Sequence, residues 1–281
     1  MKRNEKTRKL VESALMIALG TVLSILPIVE MPYGGSVTVA SMLPCLLIAY
    51  RHGTLWGLGT GAVYAILQQL LGLKNLTYFT TWQSVVAIVL LDYLLAFVVI
   101  GLGGIFRKAI PHQAMSLSAG ALLACVLRYI CHVISGATVW AGLSIPTEAA
   151  LAYSFGYNAT YMIPETIVLV LVAYYLGSVM DFRRELPVRM LQDTGCKEAT
   201  TLNAIAVLLG VVAAIVDVSL IFANLQNPKS GSFDITMLTA KPFVESFWLT
   251  VVIVTAVALA GIAVLLLRRR TLLHAKAADA E

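Results

Sequence analysis

Long apolar segments separated by short polar stretches follow one another along almost the whole chain. They lie at about 11–29, 37–50, 54–73, 82–105, 117–137, 149–179, 202–222 and 247–267. Most approach the roughly 20 residues that a helix needs to cross a bilayer. The pattern therefore predicts an all-α membrane protein with eight helices, divided into a six-helix domain at 1–181 and two further helices within 182–281.

Two small residues, Ala14 and Ala18, lie four positions apart on the first predicted helix. Small residues at this spacing let two helices approach closely. Two interpretations stay open, since the pair can pack inside the bundle of this chain or form a docking face for a partner.

Composition and charge support the membrane assignment. Hydrophobic residues make up 59% of the chain, charged residues 12%, and the mean hydropathy is +0.86. Of the 20 Lys and Arg, sixteen fall in stretches on the side of the N-terminus, Arg128 lies in a membrane helix, and three lie opposite, at Lys74, Lys229 and Lys241. The positive-inside rule then predicts a multi-pass membrane protein with both termini cytoplasmic, and it explains the +5 net charge without nucleic acid.

Sequence motifs of common catalytic sites are missing. The sequence has no G-x-x-x-x-G-K-[ST] loop and no C-x-x-C pair. Neither ATP hydrolysis by this chain nor a metal or other cofactor is expected.

The polar and aromatic residues of the membrane segments concentrate between positions 128 and 165. They are Arg128, His132, Trp140, Tyr153, Asn158 and Glu165. A bilayer interior has no water to satisfy such groups, and ionisable residues at that depth usually mark a functional site. The spacing of four between Arg128 and His132 places both on one helical face. This stretch therefore predicts most of a binding site.

Asp92 is a carboxylate in the fourth predicted helix, directly after the apolar run VVAIVLL. A lone carboxylate inside a bilayer costs about 3 kcal/mol. Asp92 is expected to pair with Arg128 or His132, or with a cationic ligand, and the residues alone do not favour either interpretation. Carboxylate, phenol and amide groups beside aromatic faces suit a cationic solute that contains a ring.

Four stretches carry a resemblance to a known family. They are ESALMIALGTVLSILP, LLDYLLAFVVIGLGGIFRK, LRYICHVISGATVW and AYSFGYNATYMIPE, and they span about 7–179. The chain resembles the thiamine-specific S component of bacterial energy-coupling factor transporters. This resemblance implies a six-helix fold that binds thiamine near the outer surface, with energy supplied by a membrane scaffold subunit and two ATPase subunits.

The resemblance also implies roles for single residues. Trp140 would stack on the aminopyrimidine ring of thiamine, and Tyr153 and Asn158 would form hydrogen bonds to that ring. Asp92 takes the position of the family's acidic residue, which is commonly Glu.

Further positions carry over in the same way. His132 would pack on the thiazolium ring, Tyr93 would line the pocket, and Tyr33 would stand in for an aromatic residue of the first outer loop. Ala14 and Ala18 match the face on which the family docks its scaffold subunit. The shorter acid and the altered loop are expected either to weaken thiamine binding or to favour a related pyrimidine or thiazole compound.

The two C-terminal helices lie outside this resemblance. A second hypothesis is therefore a self-sufficient secondary permease in which Asp217 or Glu165 couples protons. A membrane enzyme or sensor is a third hypothesis. The sequence contains no nucleophile-base pair and no set of metal ligands, which argues against it.

Overall fold

The computed structural model describes residues 2–31, 34–143, 147–148, 150–190, 197–225 and 247–278. It divides into two compact units, Met1–Val170 and Leu171–Glu281. The elements of the first unit are α1 (Lys2–Ile25), β1 (Pro27–Glu30), β2 (Ser36–Thr38), α2 (Leu43–His52), α3 (Thr54–Leu71), a 3₁₀ segment (Leu73–Tyr78), α4 (Trp82–Ala109), α5 (Gln113–Thr138) and most of α6 (Ala150–Val179).

Polar side chains hold α1 against α3. Trp56 donates a hydrogen bond to the Ser13 hydroxyl at 2.9 Å, Tyr64 donates to the Gly20 carbonyl at 3.2 Å, and Gln68 donates to the Ser24 hydroxyl at 2.9 Å. These contacts repeat along both helices in the same chain direction, so α1 and α3 are parallel neighbours. We call this set of contacts the α1–α3 ladder.

The predicted second helix is shorter than the sequence pattern indicates. Residues 36–38 pair as strand β2 with β1, and helix α2 begins only at Leu43 and is 10 residues long. The run Val37-Thr38-Val39 has two Val around Thr, all of them β-branched, and such side chains favour extended backbone. The apolar pattern at 37–50 therefore contains a strand followed by a helix.

Helix α4 is irregular where the predicted acid lies. Residues Val89–Leu95 form a π-helical segment that contains Asp92, and Val99–Ile105 form a 3₁₀ segment. Insertion of π-helical turns into α-helices is frequent at functional sites. The backbone of α4 passes very close to α5 at Gly103 and Gly120. A Cβ added at Gly120 would collide with the Gly103 carbonyl, and one added at Gly103 would lie 3.0 Å from the Gly120 carbonyl. Glycine at both positions permits this approach.

The second unit contains the end of α6, a short β3–β4 pair (Met180–Asp181 with Val188–Arg189), α7 (Lys197–Leu225) and α8 (Phe247–Ala278). Inside the predicted membrane region, Thr255 on α8 donates a 2.6 Å hydrogen bond to Asp217 on α7. At one end of the two helices, Arg268 pairs with Glu198 at 3.2 Å. Asp217 therefore links the two added helices.

Five described helices are long and apolar enough to span a membrane: α4, α5, α6, α7 and α8. Helix α1 carries a charged first half, α2 is short and α3 is more polar. Length and composition alone therefore do not identify these three helices as membrane spans. The chain is a multi-pass helical membrane protein, as predicted.

Candidate functional site

A cavity of about 380 Å³ lies within the first unit. Its walls come from the end of α1, the β1–β2 hairpin, α3, the 3₁₀ segment, α4, α5 and α6. The volume lies in the range of small-molecule sites, which are usually concave and carry a few fixed polar groups. Many of its lining groups are aromatic, charged or amide side chains, so the cavity is more polar than the surrounding helices.

Asp92 is the centre of a hydrogen-bond network on one wall. Its Oδ1 is 2.9 Å from His132 Nδ1, and its Oδ2 accepts from Ser135 Oγ at 2.7 Å and from Trp140 Nε1 at 3.0 Å. Of the partners that the sequence left open, the structure pairs Asp92 with His132. Because the carboxylate faces Nδ1, this nitrogen carries a proton, and the network fixes the orientation of the imidazole ring.

Trp140 follows the end of α5 and is 9% exposed. Its ring packs edge-on against Phe79, with 4.8 Å between centroids, and lies 6.0 Å from the ring of Tyr78. Together with its hydrogen bond to Asp92, these contacts hold the indole in one orientation at the cavity wall.

Asn158 on α6 is buried, and both polar atoms of its amide form hydrogen bonds inside the protein. The Nδ2 atom donates to the carbonyls of Ser154 at 2.9 Å and His132 at 3.2 Å, while Oδ1 accepts from the Tyr161 hydroxyl at 2.6 Å. In this arrangement Asn158 joins α5 to α6 and positions Tyr161, which itself lines the cavity.

Glu165, two turns after Asn158 on α6, connects that helix to the β1–β2 hairpin. Its carboxylate accepts from the Thr38 backbone N–H and, at 2.7 Å, from the Thr38 hydroxyl. Glu165 is 3% exposed. A carboxylate with two such donors anchors β2 over the inner part of the cavity.

Arg128 is a buried cation without an acidic partner in the part of the chain that the structure describes. Its guanidinium lies 4.4 Å from the centroid of the Phe97 ring, Nη1 contacts the Met42 sulfur at 2.6 Å, and Nε has no partner. The cation–π contact offsets part of the cost of burying the charge. Arg128 therefore retains unused donor capacity at the cavity.

The structure brings together five of the seven residues predicted to bind the ligand. Asp92, Tyr93, His132, Trp140 and Asn158 all line the cavity. Tyr93 also accepts a 2.9 Å hydrogen bond from Asn75, which lines the same cavity.

The remaining predicted binding residue that the structure describes is Tyr153. Tyr153 is half-buried on the first turn of α6 and does not line the cavity, whereas Tyr157 and Tyr161 on the next two turns do. These three tyrosines follow at intervals of four, so helical spacing could have found Tyr157 and Tyr161. Tyr33 lies outside the described residues.

Other cavity residues gave no sequence signal. Gln68 and Asn75 are amides outside the quoted family segments, and both line the cavity. Nothing in their spacing separates them from ordinary polar residues near a helix end.

The two predicted docking residues lie away from this cavity. Ala14 and Ala18 are exposed on α1, whereas Ser13 and Ile17 beside them are buried. The small residues therefore lie on the surface of the first unit rather than within its packing.

Comparison with known proteins identifies the family. The family described as "Thiamine transporter protein" matches residues 10–182, which is more than half of the chain. The chain belongs to the thiamine transporter protein family. The predicted resemblance is confirmed at this level.

Two members support the assignment. The thiamine transporter ThiT of Bacillus subtilis (strain 168) is 35% identical over 183 residues, covering 61% of this chain and 91% of the relative. A solved structure of ThiT from Listeria monocytogenes superposes with a TM-score of 0.52 at 21% identity, covering 62% of this chain and 95% of that one. The second match supports the fold. The family match ends at residue 182, so α7 and α8 lie beyond it.

Proposed function

We propose that this protein binds thiamine at the outer face of the cell membrane and delivers it inward as the substrate-specific subunit of an energy-coupling factor importer. The proposal rests on the cavity of this thiamine transporter family member. A hydrogen bond from Trp140 to Asp92 fixes both side chains on one wall of that cavity. An acid beside an aromatic face suits a cationic ring system such as thiamine.

Three residues would contact the two rings of thiamine. Trp140 stacks on the aminopyrimidine, His132 packs on the thiazolium, and Asp92 supplies the negative charge that balances the ligand. Because Asp92 already accepts three hydrogen bonds, it acts mainly as a fixed counter-charge.

The orientation follows from the Lys and Arg distribution described above. With both termini cytoplasmic, the β1–β2 hairpin, Lys74 and Trp140 lie toward the outside. Lys74 pairs with Glu30 at 2.9 Å, and this exposed pair raises the pKa of Lys74. The cavity then takes its ligand from the outer medium, as an importer requires.

Energy would come from partner subunits, a membrane scaffold and two ATPases. The exposed Ala14 and Ala18 form the docking face on α1, where small side chains permit a partner helix to approach closely.

Thiamine binding is tested by titrating the purified protein in detergent while tryptophan fluorescence is followed. Stacking on Trp140 should quench the emission saturably, and Trp140→Ala should lose that signal. Titration with the separate pyrimidine and thiazole halves identifies which ring carries the affinity. A protein that binds neither thiamine nor either half would overturn the proposed ligand.

Energy coupling is tested by uptake of labelled thiamine in hosts with and without the scaffold and ATPase subunits. Ala14→Phe with Ala18→Phe should abolish uptake and spare binding, while Leu19→Phe, which is exposed on a different face of α1, serves as the matched control and should leave both unchanged. Equal uptake in both hosts would instead favour the self-sufficient permease.

A further inference from the structure

The polar groups of the cavity differ in how much hydrogen-bonding capacity they have left for a ligand. Asp92, Asn158 and Glu165 use their oxygen or amide atoms in bonds within the protein. A ligand that displaced these bonds would gain little, because each new bond replaces an old one. Polar recognition is expected at groups whose capacity is unused.

Gln68 on α3 is such a group. It lines the cavity and is half-buried, and its Nε2 donates a 2.9 Å hydrogen bond to Ser24 Oγ. Among the described residues, no hydrogen bond to Gln68 Oε1 is found. This amide lies on the wall formed by α1 and α3, apart from the predicted binding residues on α4, α5 and α6.

The orientation of the Gln68 amide is fixed by its neighbours. Ser24 Oγ donates to the Thr21 carbonyl at 2.8 Å. A carbonyl oxygen can only accept, so the Ser24 hydroxyl proton is committed to Thr21, and Ser24 must accept from Gln68. The NH₂ group of Gln68 therefore faces Ser24, and its oxygen is the atom left for the ligand.

We propose that Gln68 is a specificity-determining residue, and that its side-chain oxygen accepts a hydrogen bond from an N–H or O–H group of the ligand. This inference rests on the proposed function and adds a contact on a wall that the predicted site does not include. Thiamine carries two groups of this chemistry, the exocyclic amine of the pyrimidine and the terminal hydroxyl.

Asn75 is a further amide of the cavity besides Gln68 and Asn158, and it differs from Gln68 in its surroundings. It donates to Tyr93 and lies next to Lys74, an exposed residue at the cavity edge. Water competes for hydrogen bonds at such a position, so Asn75 discriminates less between ligands than Gln68.

The test compares thiamine affinity in wild type, Gln68→Leu and Gln69→Leu by fluorescence titration in detergent. Gln69 is the matched control, since it is the adjacent amide on α3, does not line the cavity, and has no partner for either amide atom among the described residues. We expect Gln68→Leu to weaken binding about tenfold, the effect of one unsatisfied donor. Gln69→Leu should change affinity less than twofold, and thermal unfolding of each variant verifies folding.

Two ligand analogues identify the donor. One replaces the exocyclic amine of thiamine with oxygen, and the other replaces the terminal hydroxyl with hydrogen. The effect of Gln68→Leu should disappear for the analogue that lacks the interacting donor and persist for the other.

Ser24→Ala provides a second variant, in which the amide is free to turn. Thiamine affinity is expected to fall two- to threefold, because the side-chain oxygen of Gln68 is present but no longer oriented. Equal thiamine affinity of wild type and Gln68→Leu would overturn this inference alone, as would a loss that persists with both analogues. Absence of thiamine binding by wild type would overturn the proposed function and this inference together.

Discussion

At the scale of single residues, the main result concerns how Asp92 is stabilised. The sequence alone left a structural pair and a cationic ligand as equal alternatives. The structure gives the carboxylate three donors, His132, Ser135 and Trp140. Three donors fix the orientation of the carboxylate, which suits a fixed counter-charge for a cationic ligand.

Asp92→Asn tests this role. The substitution removes the negative charge and turns an NH₂ group toward groups that donate, so we expect thiamine affinity to fall by more than tenfold. Fluorescence titration in detergent measures the change. Asp181→Asn is the control, because Asp181 pairs with Arg184 outside the cavity. Unchanged affinity of Asp92→Asn would assign Asp92 a purely structural role.

The predictability of the site also differs from residue to residue. His132 was predictable because a polar residue in an apolar helix carries a strong signal, and Trp140 because it is an aromatic residue just after that helix. Gln68 was not, since its importance depends on Ser24, a residue 44 positions earlier in the chain. Contacts across such a distance are set by tertiary packing, which helical periodicity does not describe.

At the scale of elements, the β1–β2 hairpin depends on two glycines. Gly34 and Gly35 both have φ of +95°, a conformation that other residues adopt at a cost of roughly 1–2 kcal/mol. A Cβ on Gly35 would lie 2.9 Å from the Tyr161 ring. The hairpin therefore packs directly on α6 through the backbone of Gly35.

Gly35→Ala should combine backbone strain with crowding against Tyr161. We expect it to lower the free energy of unfolding by about 2–4 kcal/mol and to weaken thiamine binding. Gly53→Ala is a close control, since Gly53 has the same φ of +95° and no atom within 4 Å of an added Cβ. Equal effects of the two substitutions on stability would mean that Tyr161 moves away without cost.

A second element-scale feature is the charged cluster that joins α1 to the end of α2. Glu12 accepts from Arg51 Nε and Nη2 at 3.1 and 3.0 Å and contacts His52 Nε2 at 2.7 Å. His52 lies just beyond the predicted second membrane segment. Burial lowers its pKa and outweighs the opposing effect of Glu12, so a neutral His52 donates to Glu12.

This pKa predicts a pH dependence of stability. The pKa of His52 is near 6.5 in the unfolded protein and lower in the folded protein. The contribution of His52 to stability is therefore fully present above about pH 6.5 and is lost as pH falls toward the folded pKa. Chemical unfolding of wild type and His52→Gln between pH 5 and 8 measures the difference. The variant should lack this part of the pH dependence, and identical profiles would contradict the assignment.

Element boundaries were predictable where the pattern was uniform. Helices α5 and α6 match the expected segments closely because their apolar periodicity is continuous. Helix α2 does not, because extended residues ahead of it are as apolar as the helix itself. Hydropathy records burial and gives no information on backbone conformation in so short a segment.

At the scale of the whole molecule, the described cavity residues run only from Ser24 to Glu165. All of them belong to the first unit, whereas the family match continues to residue 182. The division into 1–181 and 182–281 stays a prediction, and so does the purpose of α7 and α8.

Deletion of residues 182–281 tests whether the added helices take part in binding. The truncated protein keeps every described cavity residue, so thiamine affinity in detergent should stay within about twofold of the full chain. Uptake assays on the same variant then measure any contribution to transport. A large loss of affinity with intact folding would assign the C-terminal helices a role in the site.

The α1–α3 ladder limits how the first helix can move. Its hydrogen bonds are spaced by helical turns, so a slide of α1 by one residue, about 1.5 Å, would break Trp56–Ser13, Tyr64–Gly20 and Gln68–Ser24 together. Under the docking proposed above, a partner that displaces α1 should therefore displace α3 and the cavity wall at Ser24 and Gln68 with it.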